Sequence, residues 1–143
     1  MAALSLTAAQ VLLVSGPTKS GIFGATITQG QAVYFASDGK WKLAQCDGTA
    51  AEAGADGYGI ALSGGSDGQM GVVALPGAKV TLGAAAAPAA GEVYCIGATA
   101  GAINPKSDVI TTTNKVTALA LGVGSNAVKI LGEGYDSGAV VPA

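Results

Sequence analysis

The 143-residue chain has no histidine and no arginine, only two cysteines, and few charges of either sign. Missing histidine removes the commonest general base near neutral pH and the commonest metal ligand. Missing arginine removes the planar fork that grips a phosphate or carboxylate at two points. The seven cations are all lysine and face nine carboxylates, a net charge of −2, the wrong sign for a surface that binds by neutralising phosphates. No nucleic-acid partner is expected. Aromatics make up 5% of the chain, so a stacking platform for bases or sugars would have to be built locally from Trp41, four Tyr and two Phe.

Long apolar runs are also missing. Nothing reaches the roughly 18 uninterrupted apolar residues of a membrane helix, and the blandest stretch, residues 83–91, is alanine broken by Pro88. A soluble chain without a membrane partner is expected. The first lysine is Lys19, so residues 1–16 have no basic n-region, which predicts no signal peptide. Cys46 and Cys95 form no CxxC pair. They read as two unpaired, partly buried thiols of a reducing compartment.

What is present is a core supply and a turn supply. Leu, Ile, Val and Phe make up about 23% of the chain, enough for one globular domain of this length. The 23 glycines punctuate short runs in which apolar residues recur with period two, the pattern of an all-β domain. The clearest unit is a hairpin over 31–44. Val33 and Phe35 share one face, Ser37-Asp38-Gly39 turns the chain, and Trp41 and Leu43 alternate with Lys40 and Lys42. Further strands are expected over 11–14, 22–28, 58–62, 70–75, 79–82, 92–96, 102–104, 109–112, 116–123 and 127–131. About ten short strands in one domain predict an antiparallel β-sandwich or barrel. The stretch 84–90 reads as a joint, because Pro88 and the flanking glycines oppose a helix.

An echo runs through the chain. Gly30-Gln31-Ala32-Val33-Tyr34-Phe35 is matched by Gly91-Glu92-Val93-Tyr94-Cys95-Ile96, and Tyr58-Gly59-Ile60-Ala61 by Leu121-Gly122-Val123-Gly124, in the same order. A duplicated β unit, with a boundary near 83–91, would leave this trace; chance matches in a chain rich in Gly and Ala are the alternative.

Motifs that suggest chemistry dissolve on inspection. Residues 122–127 fit the G-x-G-x-x-A dinucleotide fingerprint, but a strand follows where a helix is required, so the segment reads as a Gly-rich hairpin. Gly16-Pro17-Thr18-Lys19-Ser20-Gly21 lacks the Walker spacing and reads as a turn. Four of the six aspartates (Asp38, Asp47, Asp56 and Asp67) precede glycine, the place of a turn residue. Glu52, Glu92 and Glu133 are isolated, and neither a calcium loop nor a zinc cluster is present. No metal, cofactor or catalytic residue is expected; a Ser-Lys pair is the one nucleophile the composition leaves open. Alternation places Tyr34 and Trp41 on opposite faces, with Trp41 in the core.

The ends carry the remaining signal. Residues 1–14 are apolar, and residues 134–143 are small and polar before Val140-Val141-Pro142-Ala143. We expect an extended N-terminal arm over 1–21 and a single β domain over 22–143, the arm ordered by strand addition or exchange with a second subunit. Candidate contacts are Leu4, Leu6, Val11, Leu12, Leu13, Val14, Ile22 and Phe23. An edge strand within the same domain is the alternative.

Several stretches together resemble the small head decoration, or cement, proteins of tailed bacteriophages. They are Ala3-Leu4-Ser5-Leu6-Thr7, Ala25-Thr26-Ile27-Thr28-Gln29-Gly30-Gln31-Ala32-Val33-Tyr34, Asp38-Gly39-Lys40-Trp41-Lys42-Leu43-Ala44 and Tyr58-Gly59-Ile60-Ala61-Leu62, with Val80-Thr81-Leu82-Gly83 leading into Gly91-Glu92-Val93-Tyr94. The Ala-rich 83–91 departs from the more strand-like sequence of that type. The resemblance implies a jelly-roll-like sandwich or barrel without enzymatic activity. Such a protein would be made in the bacterial cytoplasm and bind the outside of the assembled capsid. Its partners would be the major capsid protein and itself, as homodimer or homotrimer. A tail or fibre component that binds a host-surface glycan is the rival with the same composition.

Overall fold

The computed structural model describes residues 4, 6–48, 52–53, 57–84, 86–106, 118–131 and, as backbone alone, 115–116 and 139–140. Among the described residues, a 3-10 turn at Ala8–Gln10 precedes thirteen strands: β1 Leu12–Ser15, β2 Thr18–Phe23, β3 Ala32–Phe35, β4 Lys40–Leu43, β5 Tyr58–Ala61, β6 Met70–Ala74, β7 Lys79–Thr81, β8 Val93–Ile96, β9 Ile103–Pro105, β10 Lys115–Val116, β11 Ala118–Gly124, β12 Ala127–Ile130 and β13 Ala139–Val140. The all-β expectation holds. Strands β2-β4-β3-β5-β6 close into a barrel, β1-β7-β12-β11-β8-β9 form an open sheet, and β10 pairs with β13. Every neighbour is antiparallel except β2 and β4, which run parallel where the barrel closes, with Phe23 opposite Trp41. The strand expected over 109–112 lies outside the described residues. No helix among the described residues is long and apolar enough to cross a membrane.

Two cores follow from strand alternation. Phe23, Val33, Trp41, Ala61 and Val73 fill the barrel. Ala32, Tyr58, Ile60 and Ala74, on the opposite face of the same strands, pack outward against Val80, Tyr94, Ile96, Leu119, Val128 and Ile130 of the open sheet. Strand β5 is therefore buried at every position, which explains its run of apolar side chains without a polar face. The barrel interior is small, and its wall makes room. Gly21 and Gly71 are cross-strand partners on β2 and β6. A Cβ on Gly21 would stand 2.7 Å from the Trp41 indole, and one on Gly71 would fall inside the Phe23 ring.

The sequence echo has a structural counterpart. Order β4-β3-β5-β6-β2 in the barrel is repeated as β9-β8-β11-β12-β7 in the sheet. Hydrogen bonds repeat as well. Gly30 N–H donates to the Ala61 carbonyl and Ala61 N–H to Gln31, as Gly91 N–H donates to Gly122 and Gly122 N–H to Glu92. Leu75 N–H donates to Pro17 as Ile130 N–H donates to Ala78, and Ala36 to Lys40 as Gly97 to Ala102. These pairs make Ala61 equivalent to Gly122, so the true match to 58–61 is 119–122, two positions before the match read from the sequence. Shared glycines misled that alignment: Gly59 is required under the Ala74 carbonyl, and Gly122 under the Ala89 carbonyl, for unrelated close approaches. The units also meet earlier than expected, at the corner between β6 and β7, because β7 is the first strand of the second unit.

One difference separates the units. Where β2 and β4 close the barrel, the corresponding β7 and β9 stay apart. The N-terminal segment reaches both: β1 pairs with β7, and the Leu4 N–H donates to the Ile103 carbonyl of β9 at 2.8 Å. The boundary expected after residue 21 falls inside β2, so residues 18–21 belong to the barrel wall. Their inward positions carry Gly21 and Lys19 rather than apolar side chains, which hid the strand from a hydrophobicity reading.

Candidate interaction surface

The eight apolar residues expected as contacts divide by burial. Phe23 and Val11 are fully buried and belong to the core, a correction to the sequence reading. Phe23 reaches across the barrel over Gly71, and Val11 packs against Gly30. Leu4 and Leu6 are half-buried and pack on the core between barrel and sheet, while Ile22 is half-buried on β2. Leu12, Leu13 and Val14 remain, with 57%, 41% and 55% of their surface exposed. They are consecutive residues of β1, the outermost strand of the open sheet. Leu13 lies opposite buried Val80 and Leu12 opposite Thr81, so apolar surface shows on both faces of this edge.

An open groove of about 300 Å³ runs between Leu4, Leu6, Gln29, Gln31 and Thr99. Its amides hold the loops together. The Gln29 Nε2 donates to the Val11 carbonyl, and Gln31 Oε1 accepts from the Thr28 N–H at 2.8 Å. The groove is thus the seam where the N-terminal segment lies on the turn before β3.

Aromatic rings are drawn into the structure. Trp41 and Phe35 meet edge to face at 5.2 Å between centroids, and the Lys19 ammonium lies 5.1 Å above Phe35 at the barrel mouth. The Tyr58 hydroxyl donates to the Leu131 carbonyl at 2.6 Å, and the Tyr94 hydroxyl accepts from the Ala89 N–H at 2.8 Å. Among the described residues no aromatic ring is exposed. Trp41 lies in the core as alternation predicts, with Tyr34 facing the other way, into the second core.

The described ion pairs join turn aspartates to lysines of β4. Asp38 accepts from the Lys40 N–H at 3.1 Å and pairs with Lys42 at 3.2 Å. The backbone hydrogen bond, then the Lys42 ammonium, hold its carboxyl below the usual range, and Asp38 in turn raises Lys42. Asp67 stands 3.7 Å from Lys40. Asp38 fastens the β3–β4 hairpin, as its Asp-Gly context predicts, whereas Asp67 reaches from the β5–β6 turn to β4. Residues 122–127 form the tip of the β11–β12 hairpin, with Ser125 and Asn126 both left-handed at φ 56° and 60°, the twist-matched two-residue turn. Cys46 and Cys95 are thiols, both fully buried in one cluster beside Val93, more enclosed than the partial burial expected. Burial, and then the Asp47 charge, push the Cys46 thiol up.

The described residues form an all-β protein whose edge strand β1 carries three consecutive exposed apolar side chains. A scan against protein-family models gives no match, and a search of curated proteins gives none.

Proposed function

We propose that the protein is a bacteriophage head decoration protein: it binds the outside of the assembled capsid and bridges coat subunits, with no catalytic step. The observation that supports this reading is where the resembling stretches fall. Residues 25–34, 38–44 and 58–62 supply β3, β4 and β5, which lie side by side in the barrel, while residues 91–94 open β8, the counterpart of β3, and residues 80–83 begin in β7, the counterpart of β2. The likeness is thus densest on three adjacent strands of the barrel. Function on such a framework is binding by mass action. A ligand of the assembled shell alone stabilises that shell, and many copies act together. A low charge density lets such a unit dock without stranding buried ions.

Cosedimentation with mature phage heads stripped of decoration protein, beside unassembled coat protein, tests the proposal. Saturable binding to heads alone, followed by greater resistance of those heads to heating, is the expected result. Absence of binding would direct attention to a tail or fibre role and a glycan screen.

A further inference from the structure

The two margins of the open sheet are treated differently. On β9, the Ile103 carbonyl is occupied by the Leu4 N–H, and the strand ends on Pro105 with Lys106 next, both of which discourage strand addition. On β1 protection is partial: the Gln29 amide takes the Val11 carbonyl just before the strand, a bulge shifts the register between Leu13 and Ser15, and Pro17 lies two residues beyond its end. No charged residue occurs before Lys19, β1 is hydrogen-bonded to β7 on one side, and Leu12, Leu13 and Val14 stand open. Among the described residues, the other exposed large apolar side chains, Met70 and Val123, sit on different strands.

We infer that β1 is the contact between two copies of this chain, which pair β1 with β1 antiparallel about a two-fold axis and join two six-stranded sheets into one of twelve. The occupant is specified by charge and shape. It must be an extended strand, because apolar surface is open on both faces of β1 and only a strand in the plane of the sheet covers both. It must be uncharged and apolar on both faces, since any carboxylate or ammonium would be desolvated against Leu12 and Val14. Strand β1 meets both conditions itself, and isologous pairing sets no like charges against each other. The lysines nearest to it, Lys79 on β7 and Lys129 on β12, are one and two strands inward from the margin. The inference stands apart from the shell-binding proposal, because it concerns the purified protein alone.

Sedimentation equilibrium of the full chain, at concentrations spanning micromolar to near millimolar, tests it alongside the variants Val14→Lys and Met70→Lys. The expected result is twice the 13.7 kDa chain mass for the wild type and for M70K, and a single chain mass for V14K with an unchanged circular dichroism spectrum. A wild type that stays monomeric throughout, or a V14K protein that keeps the wild-type mass, overturns the inference. A trimer overturns it too, since a two-fold edge pair cannot close a ring of three. Should V14K fail to fold, Leu12→Thr, which keeps a strand-forming residue at an exposed site, must weaken association at least tenfold. A failed head-binding experiment with an intact dimer would remove the decoration role and leave this interface standing.

Discussion

Gly21 and Gly71 face each other across the barrel wall so that Trp41 and Phe23 can fill its interior. Gly71→Ala should therefore be destabilising by overpacking, about 1–3 kcal/mol in urea unfolding. Combined with Phe23→Leu it should cost less than the sum of the two single changes, because the smaller side chain vacates the space the new methyl needs. Additive losses would mean that the ring and the glycine do not share that space. The placement of Trp41 was legible from alternation; the need for Gly21 was not, since a residue without a side chain carries no pattern. The thiols make a second prediction. A raised folded-state pKa leaves less thiolate at any mildly alkaline pH, and the thiolate is the reactive form. Burial also denies access. Native protein should resist an aromatic disulfide reagent, and guanidinium should expose both Cys46 and Cys95 to rapid labelling; prompt labelling of Cys46 in the native state would refute its enclosure.

Strands were legible where large side chains dominated the run, as Val33, Tyr34 and Phe35 do in β3 and Trp41 and Leu43 in β4, and blurred where a corner or a small residue took over. The corner between β1 and β2 is the instructive case. Gly16 has φ +107°, and a Cβ there would stand 2.5 Å from the Ala78 Cα, so two backbones touch where the open sheet turns into the barrel. Gly91 has a comparable φ of +83° with nothing within 4 Å. Gly91→Ala should cost the backbone penalty alone, about 1–2 kcal/mol, while Gly16→Ala should add an overpacking cost of about 1–3 kcal/mol. Equal midpoints for the two variants in thermal unfolding would remove the close approach as a determinant. The β3–β4 hairpin supplies a pH prediction. The Asp38 carboxyl is lowered in the folded state, so its contribution is present above its unfolded pKa and fades as pH falls through the folded value. Lys42 is raised, so its share is present below its unfolded pKa and fades as pH rises through the folded value. Asp38→Asn should flatten the acid limb without altering the neutral midpoint much, because the pair is exposed and screened.

At the scale of the molecule, the second unit does not enclose a core of its own. Its inward face closes on the outer face of the first unit's barrel, through Tyr58, Ile60 and Ala74 on one side and Tyr94, Val128 and Ile130 on the other. The sequence carried an echo that a duplicated unit or chance would leave, but it could not show this, because alternation tells which side chains share a face and not which other face they meet. A shared core has an energetic consequence. Neither half can bury its apolar surface alone, so the described strands should unfold together. Trp41, the only tryptophan, lies inside the barrel and reports its opening by fluorescence; far-ultraviolet circular dichroism follows strands of both units. One coincident urea transition is expected from the two signals. Ile130→Ala, in the second unit, should lower both midpoints equally, by about 2–5 kcal/mol in stability, although it touches nothing inside the barrel. If the dichroism midpoint fell while the Trp41 midpoint stayed, the barrel would be an independent domain. The strand repeat would then join two self-sufficient folds, and the decoration role would need only one of them.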